Sequence, residues 1–186
     1  MLFRSAFVFP DDVTEGDALI TFTKRAVLDI AGRLEREGIR ASVIYGSLPP
    51  EIRRRQIRLF LCHETKVVVS TDAIGMGLNL PVRRIVFIQT EKYDGISTRP
   101  LNIPEIRQIA GRAGRFGMYD TGYVNAMGED ARNYIAKRFD QPEPVIKKVS
   151  LGFPHILLDM DEPLNAILKI WKSVEQIGRA SCRERV

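Results

Sequence analysis

Between residues 18 and 90, short, continuously apolar runs alternate with segments whose apolar residues recur at helical spacing, and this texture narrows the choice of fold more than any other feature. Ala18–Phe22 reads as a buried strand; from Arg25 to Glu37, Val27, Ile30, Ala31 and Leu34 fall at i, i+3, i+4 and i+7, as on one face of a helix. Gly38 supplies a helix stop, Ala41–Tyr45 the next run, and Pro49-Pro50-Glu51 the start of a second helix carrying Ile52, Ile57, Phe60 and Leu61. Two further apolar runs follow at Lys66–Ser70 and Arg84–Gln89. Strands apolar on both faces, separated by helices of about a dozen residues, predict an α/β fold: a parallel sheet flanked by helices, with right-handed crossovers.

After Gln89 the pattern loosens into a long excursion with room for a small hairpin. Order returns with a predicted helix over Pro104–Arg115, a strand over Gly122–Met127 and a helix over Asp130–Phe139; Pro142 and Pro144 then mark a boundary. Beyond it Leu164, Ile167, Leu168 and Trp171 pattern a short helical extension over Pro163–Glu175. The expected organisation is a lead-in over 1–17, the α/β domain over 18–140, and a linker with the start of a helical region over 141–176. Residues 177–186 show neither periodicity nor turn chemistry and read as a cloning scar.

Composition adds exclusions. With 45% hydrophobic and 27% charged residues the chain is neither disordered nor collagen-like. No apolar run approaches the roughly 18 residues that span a bilayer, so no membrane partner is expected. Cys62 and Cys182 make neither a disulfide framework nor a zinc cluster, and His63 and His155 lie far apart, so no metal site is expected and a reducing compartment is. The formal charge of +5 favours polyanions, but the last ten residues contribute +2 of it.

The predicted helix over Pro104–Arg115 has two faces. Ile106, Ile109, Ala110 and Ala113 make a buried stripe; Gln108, Arg112 and Arg115 make a second, where guanidinium forks can grip phosphate oxygens. A solvated polar face is the alternative for any helix with two arginines. Gly111 and Gly114, each costing roughly 1 kcal/mol inside a helix, favour close approach of a ligand or a facing backbone. Three other segments lie at carboxyl ends of predicted strands, where ligands of parallel sheets bind: Ser70–Asn79 with Thr71, Asp72, Gly75 and Gly77; Tyr45-Gly46-Ser47-Leu48-Pro49-Pro50; and Thr23-Lys24-Arg25. Hydroxyls, helix starts and a basic pair at one edge suit a phosphodiester backbone. Each segment is equally readable as a capped loop, and Thr71-Asp72 as a helix N-cap. The basic turn Glu51, Arg53, Arg54 and Arg55 is as readily a solvated helix face as a nucleic-acid contact.

With these residues in view, the chain resembles the second RecA-like domain of superfamily-two helicases. Gln108–Arg115 looks like helicase motif VI, Thr71–Asn79 like motif V and Ile20–Arg25 like motif IV. Tyr45–Pro50, Asp72–Asn79 and Arg115-Phe116 are similar to the Suv-type RNA helicases of the mitochondrial degradosome and their bacterial relatives, with Ski-type helicases the next match. The resemblance covers roughly 18–128, with Glu143–Val174 weakly similar to the helical region that follows. It implies a RecA-like fold and an ATP-dependent RNA helicase, with DNA as a second substrate class and 3′-to-5′ movement. Arg112 and Arg115 would be arginine fingers and Gln108 would orient phosphate or water. Asp72, Gly75 and Gly111 would approach nucleotide; Thr23, Lys24, Arg25, Gly46, Ser47 and Thr71 would hold a single strand. The implied cofactors are ATP and Mg2+, and the implied partners are single-stranded RNA, the first RecA-like domain and an exoribonuclease. Location reads as bacterial cytoplasm, with the mitochondrial matrix as the alternative.

No Gly-x4-Gly-Lys-Ser/Thr loop is present, and Asp161-Glu162 continues into Pro163-Leu164 rather than into an acidic magnesium motif. The chain is therefore expected to be one motor domain of a longer enzyme, inactive toward ATP by itself. A stand-alone RecA-like module that binds nucleic acid or protein is the alternative.

Overall fold

The computed structural model describes residues 2–3 (backbone only), 7–75, 80–114, 119, 121–142 and 161–171. Its strands are β1 (Leu2–Phe3), β2 (Asp17–Ile20), β3 (Ala41–Ile44), β4 (Val67–Ser70), β5 (Arg84–Phe87), β6 (Glu91–Tyr93), β7 (Thr98–Pro100) and β8 (Tyr123–Ala126). Six of them form one sheet in the order β1-β8-β5-β2-β4-β3, with every neighbouring pair parallel, as the apolar runs predict. β6 and β7 form the expected hairpin, pairing antiparallel with Lys92 opposite Arg99.

Period-2 alternation divides the strand residues between two buried clusters. Leu19, Val67, Val69 and Val86 pack with Val27, Ile30 and Leu34 of helix α1 (Lys24–Arg36) and with Phe7. Ala18, Ile20, Ile44, Val68, Ile85, Phe87, Val124 and Ala126 pack with Phe60 of α2 (Pro50–Leu61), Ile106, Ile109 and Ala110 of α3 (Ile103–Ala110), and Ile135 of α4 (Glu129–Asp140). Both sheet faces are thus covered, which is why the strands read as unbroken apolar runs. α2 buries Phe60, whereas Ile52 and Leu61, apolar residues carried by the same helix, are 43% and 48% exposed. The segment read as a lead-in adds β1 and the buried Phe7, whose N–H donates to Ala126 O at 3.3 Å. The edge strand β3 is shielded by α2: Gln56 Oε1 accepts the Val43 N–H at 2.9 Å, and Ser42 Oγ donates to Gln56 O at 2.8 Å.

Helix ends follow their local chemistry. Thr23 caps α1 by accepting the Ala26 N–H, and Gly38, at φ +75°, closes it with bonds from Gly38 N to Glu35 O and from Ile39 N to Leu34 O. α3 opens with a reciprocal capping box between Asn102 and Glu105. It stops at Ala110, five residues before the predicted Arg115, because Arg112 N and Ala113 N turn to the carbonyls three residues back. Gly114 N then bonds Val82 O at 2.9 Å. Gly111 is the C-cap, and Gly114 lies outside the helix at φ +67°, so neither glycine is helix-interior as expected.

Residues 1–143 and 144–186 form two separate units. In the second, residues 164–171 are helical, starting with bonds from Ala166 N and Ile167 N to Pro163 O. Residues 172–175 of the predicted helix and the suspected scar lie outside the described residues.

A Cβ on Gly114 would sit 2.2 Å from Gly122 N and 2.3 Å from Gly122 Cα, both backbone atoms. Gly114→Ala is expected to lower the unfolding free energy by about 3 kcal/mol or more, read by urea titration. Gly32, exposed inside α1, has nothing within 4 Å of the position a Cβ would take and gives the opposite sign: Gly32→Ala should stabilise by roughly 0.5–1 kcal/mol.

Candidate functional site

Because the strands run parallel, the loops after β2, β4 and β3 leave one edge side by side. Thr21 N donates to Ser70 O at 2.9 Å and Thr71 N to Ile44 O at 3.1 Å, so the three exits are bonded in sequence. Thr23, Lys24 and Arg25 follow β2, Thr71 follows β4, and Gly46 and Ser47 follow β3. The Lys24 ammonium lies 5.4 Å from the centre of the Tyr45 ring, joining the outer two loops. Thr23, Lys24, Arg25, Gly46 and Ser47 are exposed, whereas Thr71 is buried. Arg25 stays available, its contact with Asp29 being a long 3.9 Å pair between exposed groups. Thr23 Oγ1 serves as the α1 cap and Thr71 Oγ1 accepts the Ala73 N–H at 3.3 Å; each hydroxyl retains its own O–H for donation. Arg53 stitches the third loop, donating to the carbonyls of Gly46 at 2.9 Å and of Tyr45 and Leu48 at 3.4 Å, while Arg54 and Arg55 are solvated.

Thr71 leads into a 3-10 helix, Asp72–Gly75, whose Ala73 and Ile74 are buried in the core. At its far end the Gly75 carbonyl accepts an Arg112 Nη2 hydrogen, and Gln108 Nε2 lies 3.5 Å from the same oxygen. Gln108 packs so closely that a Cβ on Gly75 would meet its Cγ at 3.1 Å and oblige that side chain to shift by a few tenths of an ångström. Gly111, exposed at the α3 C-cap, would bring a Cβ within 2.9 Å of Arg107 O. Gln108, Arg112, Gly75 and Gly111 are therefore gathered in one corner. They are not a single helical column, because Arg112 stands beyond the end of α3. Arg115, the other expected arginine finger, lies outside the described residues, as do 76–79 of the motif V segment.

Asp72 is engaged from a direction the sequence does not announce. Lys92 of the hairpin donates to Asp72 Oδ2 at 3.2 Å and to Glu105 Oε1 at 2.8 Å. Arg99, opposite Lys92 in the hairpin, forks onto both Glu105 oxygens at 2.9 and 3.0 Å and reaches Asp94 at 3.1 Å. The capping box Asn102-x-x-Glu105 is legible as a pattern; the pairing of Lys92 with Asp72 has no local signal. Gln89 is also missed by sequence reasoning: its Oε1 accepts the Phe22 N–H at 3.2 Å and so helps shape the loop after β2. Among the described residues no group of His, Cys, Asp and Glu could hold a metal ion. No described helix is long and apolar enough to cross a membrane.

Residues 5–117 match the model of the helicase conserved C-terminal domain, and the chain belongs to that family. It is similar to the mitochondrial ATP-dependent RNA helicase SUV3 of Oryza sativa subsp. japonica: 42% identical over 147 residues, covering 77% of this chain and 25% of that protein. The mitochondrial ATP-dependent RNA helicase SUV3 of Saccharomyces cerevisiae is 36% identical over 140 residues, covering 72% of this chain and 19% of that protein. The chain thus spans a quarter or less of these relatives. In fold it is similar to the C-terminal domain of the DEAD-box protein Dbp5, with a TM-score of 0.54 at 23% identity, covering 70% of this chain and 73% of that one.

Burial alone would push the Glu105 carboxyl up, but Arg99, Lys92 and the Asn102 N–H outweigh it and hold the group at about 2, below its ordinary 4.5. A carboxyl depressed by folding stabilises the native state above its ordinary value and loses that contribution as pH falls toward the folded one. The stability difference between wild type and Glu105→Gln is therefore expected to be full above pH 4.5 and to shrink from there toward pH 2. Denaturant titrations of both proteins along that range check it; a difference independent of pH would contradict it.

Proposed function

We propose that this chain is the second motor domain of an ATP-dependent RNA helicase of the SUV3 kind. In this reading it supplies arginine fingers to a nucleotide held by a first RecA-like domain, and a row of contacts to a single strand. The observation that carries the reading is the convergence of Arg112 and Gln108 on Gly75. The turn that ends at Gly75 follows directly on Thr71, which lies beside the loops carrying Thr23, Lys24, Gly46 and Ser47. One four-residue turn then borders both a cationic corner and a hydroxyl-and-lysine row, which is the arrangement a motor needs if nucleotide state is to alter grip on a strand.

The fit to ATP and Mg2+ is that of one wall. The corner offers a guanidinium and an amide, both donors suited to phosphate oxygens. The chain has no phosphate-binding glycine loop in its sequence, and the acidic ligands for the metal have no counterpart among the described residues. When bound, ATP supplies the phosphoanhydride to be split. Among the described residues Arg112 gives one of its five donors to the Gly75 carbonyl, a bond that would orient the fork, and the other donors would be offered to phosphate. Arg112 and Arg115 would then oppose the charge that builds on the transferred group, and Gln108 would orient phosphate or water. Asp72 and Gly111 complete the nucleotide side as expectations carried over from the resemblance. On the strand side, Lys24 and Arg25 supply charge and Thr23, Ser47, Thr71 and the Gly46 backbone supply hydrogen bonds to a backbone, with no base read. The relatives' RNA helicase names favour RNA over DNA, and their mitochondrial names favour the matrix over a bacterial cytoplasm. An exoribonuclease partner rests on the degradosome resemblance alone.

In the full-length enzyme, Arg112→Ala and Arg115→Ala should each lower RNA-stimulated ATP turnover by about 10³-fold while nucleotide affinity, read by equilibrium titration, changes little. Unchanged turnover in both would sink the reading. The 186-residue chain alone should show no ATPase and should bind single-stranded RNA with an affinity that falls as salt rises. Lys24→Ala should reduce the slope of log K against log salt by about 1. Turnover by the chain alone, or salt-independent binding, would count against the assignment.

A further inference from the structure

The hairpin β6–β7 is the one described element standing outside the main sheet's hydrogen bonding without being a helix, and two-stranded hairpins hold little structure by themselves. Tyr93 and Ile96 are 63% and 90% exposed, so apolar burial does little to seat its tip. What seats it is charge. Its first strand sends Lys92 to Asp72 and Glu105; its second sends Arg99 to both oxygens of Glu105. Glu105 also closes the capping box that starts α3, accepting the Asn102 N–H at 2.9 Å. The same helix ends beside Gly75 with Gln108 and Arg112. The turn Asp72–Gly75 is therefore held at both ends: Asp72 through Lys92 to the first turn of α3, and Gly75 by the residues at its last turn and just beyond.

Four residues of 3-10 helix have few bonds of their own to resist a pull at either end. Lys92 carries two acidic partners and Glu105 two basic ones; losing Lys92 would release Asp72, 41% exposed, from the helix cap while Arg99 stays on Glu105, and losing Glu105 would take from Lys92 and Arg99 the carboxylate they share. Lys92 is only 19% exposed and Glu105 18%, which sets them apart from solvated pairs worth little.

We propose that Lys92 and Glu105 are positioning residues that couple the β6–β7 hairpin to the turn between the strand row and the arginine corner. A load on the hairpin is then transmitted to Asp72 and to the Gly75 carbonyl on which Arg112 is oriented. This inference rests on the proposed function, since it concerns how that site is set. Neither residue touches the nucleotide or the strand in this scheme.

The test is made on the full-length enzyme with Lys92→Met, Lys92→Arg and Glu105→Gln, comparing ATP turnover without RNA and at saturating RNA. The expected result is a loss of RNA stimulation of about tenfold in Lys92→Met and Glu105→Gln, with unstimulated turnover unchanged and Lys92→Arg close to wild type. If Glu105→Gln fails to fold, Lys92→Met, which leaves the capping box intact, decides the matter. Amide exchange at residues 72–75 should be faster in Lys92→Met than in wild type. Stimulation equal to wild type in the variants, or stimulated and unstimulated turnover falling in parallel, overturns the inference. A wild-type enzyme with no RNA-stimulated turnover overturns the proposed function and this inference together, whereas a stimulated wild type with indifferent variants overturns the inference alone.

Discussion

Parallel pairing sends the carboxyl end of every strand in the six-stranded sheet to the same edge, and the register fixes which exits are neighbours. β4 lies between β2 and β3, so the exit at Thr71 is flanked by Thr23 and Lys24 on one side and by Gly46 and Ser47 on the other. Residues far apart in sequence become a row a few strand spacings wide, about 4.8 Å per step. An antiparallel sheet with the same residues would scatter them between two edges.

The second constraint is the close approach of α3 to the turn after β4. Gly75 has room for no side chain without displacing Gln108, and its carbonyl receives Arg112. The helix is short, eight residues, so its two ends lie only about 12 Å apart at 1.5 Å per residue. That distance lets one helix address both ends of a four-residue turn, through Glu105 and Lys92 at its start and through Gln108 and Arg112 at and beyond its end. A helix continuing to Arg115 would carry Arg112 along the axis and lose the left-handed turn at Gly114, whose contact with Gly122 knits the segment against the strand β8 that follows.

The sheet is legible because each strand is apolar on both faces, and α1 because Val27, Ile30 and Leu34 recur while Thr23 and Gly38 mark its ends. α3 is legible in its buried stripe and not in its length. Ala113 continues the stripe's spacing, but its hydrogen bond returns to Ala110 and its bridge to Val82, a tertiary preference that spacing cannot carry. Ile52 and Leu61 fit a helical apolar pattern and are exposed, since α2 lies against the edge strand β3 and needs only Phe60 and Ile57 to cover it. Of the candidate site, the row and the Gln108–Arg112 corner follow from motif positions. The Lys92–Glu105 linkage does not, because ion pairs between a hairpin, a turn and a helix cap leave no periodic trace.

Charge is informative here only once its duties are separated. Of the chain's 28 basic residues, Arg84 is committed to Asp17 and to the loop at Asp12 and Thr14. Arg53 holds three carbonyls of the loop after β3, Arg107 holds Phe139 O, and Arg99 and Lys92 hold Glu105. These cations raise the net charge and give nothing to a polyanion, because moving them would strand their partners. Lys24 and Arg25 are different: one leans on an aromatic ring and the other on a distant carboxylate, both loosely, at the edge where a phosphodiester would lie. Arg112 is different again, since its carbonyl partner orients the guanidinium without neutralising it. The case for a polyanion therefore rests on Lys24 and Arg25 at the carboxyl edge of the sheet and on Arg112 at the far end of the turn Asp72–Gly75, three cations with no close carboxylate among the described residues, and it would be the same on a domain of net charge zero.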